Sequence, residues 1–102
     1  YSSWTTACCW VFHRNLIEQL AKIESPKKTG LFFDEGFPVG MSEDTDINFY
    51  IQHRLHKKMG VARDVFLWHH GSKTLRDMGI NFEELQHNNN VILRKKWPDI
   101  FK

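Results

Sequence analysis

The sequence predicts an α+β fold: a single domain over residues 1–102, with about three helices packed on a small mixed sheet. Two kinds of apolar pattern lead there. Leu16, Ile17, Leu20 and Ile23, and later Ile47, Ile51, Leu55 and Met59, recur at the spacing of helices that bury one face. Residues 4–12 and 61–68 are instead rich in aromatic and β-branched side chains, which favour strands. Glycine, proline and short polar runs separate these segments.

A chain of 102 residues can bury one modest core. Apolar residues make up 41% of it and aromatics 14%, a composition that disfavours disorder. The formal net charge of +2 gives no strong pull toward nucleic acid or anionic lipid. Cys8 and Cys9 are adjacent, and neighbouring cysteines bridge with difficulty. A reduced, cytoplasmic location fits best. No apolar run approaches the roughly 18 residues that span a membrane, and no segment reads as a signal peptide. The chain opens at Tyr1 without an initiator Met, and is expected to be a piece of a longer protein.

In chain order, residues 4–12 carry no charge and read as a largely buried strand. A helix over residues 13–24 follows; Ser25-Pro26 stops it, and residues 27–30 form an exposed turn. Residues 31–41 hold Phe32, Phe33, Phe37 and Pro38, with Gly36 and Gly40. This is an ordered loop pinned by its aromatics, either a binding wall or a cover over the core. The second helix runs over residues 43–59. Ser42 or Asp44 can cap it, Lys57 and Lys58 complement its last turn, and Gly60 ends it. A strand over residues 61–68 leads to His69-His70-Gly71-Ser72, then a loop over 73–79. The last helix, residues 81–96, has Phe82, Leu85, Ile92, Leu93 and Trp97 on its apolar face, and Pro98 closes it. Asn88-Asn89-Asn90 lie mid-helix, where Asn is a poor former, so a kink or a polar contact is expected there.

Chemistry concentrates at the mouth of the second helix, where Glu43, Asp44 and Asp46 put three carboxylates in four positions. Free N–H groups and the macrodipole favour acids there, so capping with solvated charge is the commoner meaning of such a cluster. The functional alternative divides labour: one acid holds structure while Asp44 or Asp46, partly desolvated, accepts a proton from an alcohol. Oxygen ligation of a divalent cation is a third option. His69 and His70 are consecutive, so their side chains diverge, and they share a metal less easily than an i, i+4 pair on a helix. No Gly-x-x-x-x-Gly-Lys loop and no Cys-x-x-Cys pattern is present, and the thiols lie in an apolar stretch.

Taken in order, Ala7 to Arg14 as a strand ending in a basic residue, Gly30 to Phe37 with one extra Phe, Glu43-Asp44-Thr45-Asp46, Gly60, the run 61–68 and His69-His70-Gly71-Ser72-Lys73-Thr74 resemble the C-terminal half of family-2 glycosyltransferases. Those are nucleotide-sugar enzymes of the GT-A fold, with a Gly-x-Phe-Asp-Glu-x-Phe loop, a Glu-Asp-x-Asp helix start and a His-x-Gly-Ser-x-Thr turn. Asn89, Leu93 and Lys96-Trp97 fit a continuation found in some bacterial members. The resemblance covers nearly the whole chain.

It implies that Asp44 is the catalytic base, with Glu43 shaping the acceptor site and Asp46 supporting the helix entrance. Asp34, Glu35, Asp46, Trp68 and His70 are implied to contact substrate, and His69 the metal at the donor diphosphate. The implied activity is transfer of a sugar from a nucleotide-sugar donor to the hydroxyl of a carbohydrate or glycoconjugate acceptor, with inversion, in polysaccharide or glycoconjugate synthesis. The implied cofactor is a divalent cation, Mn or Mg, bound mostly by a nucleotide-binding half that this chain lacks. The fragment alone is therefore expected to be inactive. Its location would be cytoplasmic, including the inner face of the membrane, with no nucleic-acid partner. Tyr50 stands where many members carry Arg, and the absence of Gln-x-x-Arg-Trp disfavours a processive synthase. Two other classes compete: a non-catalytic carbohydrate- or protein-binding module that stacks ligands on Trp and Phe, and a small metal-dependent hydrolase using His69, His70 and the acids. Strands cut from a larger sheet would also expose edges that favour self-association.

Overall fold

The structure is a computed structural model that describes residues 5, 7–23, 33–37, 41–71 and 73–101. Trp4, the Ser25-Pro26 stop, the turn over 27–30, Gly30 to Phe32 of the aromatic loop, Pro38, Gly40 and Ser72 lie outside the described residues. Among the described residues the architecture is helical: α1 (Arg14–Ala21), α2 (Glu43–Phe49), α3 (Lys73–Asp77) and α4 (Phe82–Lys96). A π-helical turn, Tyr50–Arg54, continues α2 without a break.

The expected α+β fold is therefore corrected. Among the described residues there is no sheet, and Met59 alone has an isolated bridge. Residues 7–9 form a turn, and 10–12 are irregular while packing Trp10 and Phe12 on the core. Residues 61–68 are exposed throughout, Phe66 to 83%. The physical reason is that β-propensity records how well a side chain suits a half-buried pleated surface, and without a partner strand there is no such surface. Apolar composition gave these segments β-propensity, which does not by itself supply a partner strand.

The helical stripes fare better. Leu16, Leu20 and Ile23 turn inward from α1, whereas Ile17 stays on the outer face. This helix ends at Ala21 instead of residue 24, closed by the Lys22 and Ile23 amides bonding back to Gln19 and Leu20. Ile47 and Ile51 are buried together with Leu20, and Leu55 and Met59 pack on them. Their strict four-residue repeat outruns the 3.6-residue α turn, and the wider π turn brings it back toward one face. The Leu55 amide accordingly bonds the Tyr50 carbonyl, and Lys57 that of Ile51. The helix stops near Arg54, with His56 at φ 52°, well before Gly60. The 73–79 loop contains the short α3, and Arg76 on it donates to the His70 and Gly71 carbonyls.

A second apolar cluster joins Phe37, Leu93 and Trp97 under Phe49 and Phe101. Tyr50 belongs to both clusters and meets the Trp97 ring edge-on at 4.7 Å. Thus α2 with its π turn is the central element, flanked by α1 on one side and by α4 and the 33–37 loop on the other.

Candidate functional site

The entry to α2 is built on unusual backbone. Met41 and Ser42 both have positive φ, 63° and 82°. Left-handed geometry costs a non-glycine residue about 1–2 kcal/mol, so two in succession must be held by their surroundings. Ser42 occupies the N-cap position but its side chain makes no capping bond, contrary to the sequence expectation. Asp44 caps only locally, its Oδ1 accepting the Thr45 amide at 2.8 Å.

Two helix faces grip this entry. Asn89 of α4, fully buried, donates from Nδ2 to the Met41 carbonyl at 2.6 Å. Two turns further along α4, Lys96 Nζ donates to Asp46 Oδ2 at 2.8 Å and to Asp34 Oδ2 at 2.5 Å. The Trp97 indole N–H donates to Asp46 Oδ1 at 2.7 Å. On the opposite side Asn48, also fully buried, donates to the carbonyls of Thr5 and Asp44 and accepts from the Thr5 amide and hydroxyl.

These contacts sort the predicted acids by role. Asp46 is 1% exposed and both its oxygens are engaged, by Lys96 and Trp97, so it braces the helix. Burial raises its carboxyl above the usual range, against the lowering hydrogen bonds from Lys96 and Trp97. Burial pulls the Lys96 ammonium down, but hydrogen bonds to Asp34 and Asp46 outweigh that and leave it above its ordinary value. Both directions follow from two buried carboxylates sharing one cation. Asp34 likewise serves structure: its Oδ1 accepts the Gly36 amide at 2.8 Å and its Oδ2 ties the loop to Lys96.

Asp44 differs. It is half-buried, and its carboxylate is held by two backbone amides, that of Thr45 and, at 3.4 Å, that of Ala7. Glu43 beside it is half-buried, with Oε2 inaccessible and lacking a hydrogen-bond partner among the described residues. Burial, with the charge of Asp44 adding to it, raises the Glu43 carboxyl above the usual range in spite of a bond from its own amide. Glu35 is exposed at the loop tip.

Trp68, His69 and His70 lie on the exposed 61–71 segment, where the Trp68 indole N–H donates to His70 Nδ1 at 3.4 Å. Among the described residues no hydrogen bond, ion pair or ring contact joins these three to Glu43 or Asp44. Nor do three His, Cys, Asp or Glu side chains group there as a cation would need. His69 alone does not make a metal centre, so the described residues do not fit the expected cation by themselves. No helix of the described residues is long and apolar enough to cross a membrane.

Lys96, Trp97, Asn48 and Asn89 are the residues that a search for acids and histidines passes over. A signal existed for Asn89, which falls midway between Leu85 and Leu93 at i±4, a polar group at a core position. Comparison with protein families, with curated proteins and with solved structures returns no match.

Proposed function

We propose that the chain is the acceptor-side, base-bearing portion of a nucleotide-sugar-dependent glycosyltransferase resembling family 2, with Asp44 as the base. The observation that carries the reading is the division of labour at the α2 mouth. Asp46 is consumed by Lys96 and Trp97, while Asp44 is steadied, among the described residues, by two backbone amides and keeps acceptor capacity for an incoming hydroxyl. In the proposed step the acceptor hydroxyl gives its proton to Asp44 as its oxygen bonds the anomeric carbon. The bond from that carbon to the nucleoside diphosphate breaks, and the leaving group carries away the electron pair. Attack from the opposite face inverts the centre. Glu43, half-buried beside Asp44, helps shape the acceptor site. A divalent cation, held by His69 and further ligands, would offset charge on the leaving diphosphate.

The test is release of nucleoside diphosphate from nucleotide sugars. The longer parent protein should turn over with acceptor present, and the isolated chain should not. Robust turnover by the isolated chain would refute the partial-domain reading. A second reading, a non-catalytic carbohydrate- or protein-binding module, is favoured by the exposed Phe66 and Trp68. Saturable carbohydrate binding lost in Trp68→Ala, in a parent protein without turnover, would select it.

A further inference from the structure

We infer that Asn89 is a positioning residue: through the Met41 carbonyl it fixes the left-handed Met41–Ser42 turn and thereby the direction of the Asp44 carboxylate. This rests on the proposed role of Asp44. Asn89 has no reason to be buried mid-helix for helix formation, because Asn disfavours helix interiors and competes for backbone hydrogen bonds. Its neighbours on the same face, Leu85 and Leu93, are both buried and apolar. What it does is reach across to the Met41 carbonyl at 2.6 Å, at the first of the two residues with positive φ that open α2.

Asp44 lies three residues beyond that carbonyl and two before Asp46, which α4 grips a second time through Lys96 and Trp97. The acid is thus suspended between two fixed points on one neighbouring helix. The second point holds the helix body. The first sets how the chain enters it, and relaxing Met41 and Ser42 to negative φ would swing the first turn that carries Asp44. A base must meet its proton donor within hydrogen-bond reach, so a small rotation here reaches the chemistry directly.

Three measurements test this. In the wild-type chain the Asn89 side-chain amide should exchange slowly with solvent; fast exchange overturns the contact. Asn89→Leu, which keeps the size but not the donors, should move the backbone shifts and couplings of Met41 and Ser42 from positive toward negative φ, and unchanged values overturn the proposal. In the longer parent enzyme Asn89→Leu should lower kcat at least tenfold with the donor KM within twofold. Adding Ser42→Gly, which makes positive φ cost-free at that position, should recover most of the lost kcat. Failure of glycine to rescue would assign Asn89 a merely structural role and overturn the proposal. A clamp confirmed by exchange and by couplings, in a parent protein with no transferase turnover, would instead refute the glycosyltransferase reading and leave the clamp standing.

Discussion

Replacing Lys96 with Met removes the ammonium that the buried Asp34 and Asp46 carboxylates share. The thioether keeps most of the length of the stem but loses the Nζ, which also sits 4.9 Å from the centroid of the Tyr50 ring, so the change is chiefly electrostatic. Asp34 and Asp46 have side chains 7% and 1% exposed, and neither can turn fully to water once the cation is gone. Removing one partner of a buried pair costs about 3–5 kcal/mol. Lys96 is itself 16% exposed, which lets water approach, so the lower end, about 3 kcal/mol, is expected. At about 4–8 °C per kcal/mol for a domain of this size, the midpoint should fall by roughly 12–24 °C. Thermal unfolding followed by tryptophan fluorescence reads this directly. Lys73→Met is the control, because its i, i+4 pair with Asp77 is exposed and should be worth less than about 0.5 kcal/mol. The pH dependence adds a second check. Lys96 is held above its ordinary 10.5, so its contribution is complete below that value and is lost as pH rises through the higher folded one. In acid, protonation of Asp46 relieves its share of the uncompensated charge, so Lys96→Met should approach the wild type as pH falls toward the ordinary 3.8. A Lys96→Met midpoint within a few degrees of the wild type at neutral pH would refute the buried-triad account.

Asn48→Ala should cost about 2–3 kcal/mol, since it strands the Thr5 and Asp44 carbonyls and the Thr5 donors. Asn48→Asp should be worse at neutral pH, where a carboxylate faces those carbonyls, and should recover in acid; urea unfolding at two pH values measures both. Glu43 has a raised folded value, so its ionisation weakens the fold as pH climbs past the ordinary 4.5. Glu43→Gln should therefore be more stable than the wild type at pH 7 and equal to it in acid, as denaturant midpoints across that range will show. The exposed 61–68 segment should drive self-association of the chain, and Phe66→Ser with Trp68→Ser should abolish it in sedimentation while leaving stability within about 0.5 kcal/mol. Concentration-independent monomers of the unaltered chain would contradict that.

Helical elements were legible because their signal is internal to the segment. Leu16, Leu20 and Ile23, or Ile47 and Ile51, carry a period that only a helix can bury on one side. Ends were less legible: the π turn that continues α2 stops at Arg54, ahead of a left-handed His56, and not at Gly60, and no local rule announces that turn. The expectation for residues 61–68 failed for a different reason. A strand is defined by a partner, and Val65, Phe66, Leu67 and Trp68 state a preference without naming one.

At the site, the carboxylate cluster was visible as chemistry, but its partition was not. Whether Asp44 or Asp46 is the engaged acid depends on α4, some fifty residues away, whose Lys96 and Trp97 reach Asp46. Asn89 announced a polar contact by its place among leucines, yet only the packing of α4 on the α2 entry reveals that the contact is Met41.

Asp44→Asn in the longer enzyme that the proposed function implies, with turnover and donor binding measured on the same preparation, decides whether Asp44 is the base and Asp46 its brace. Turnover should fall at least a hundredfold, in line with the roughly 10²–10⁴-fold worth of a general base. Donor affinity should stay within twofold and the thermal midpoint near the wild type. Turnover retained by Asp44→Asn would contradict the account.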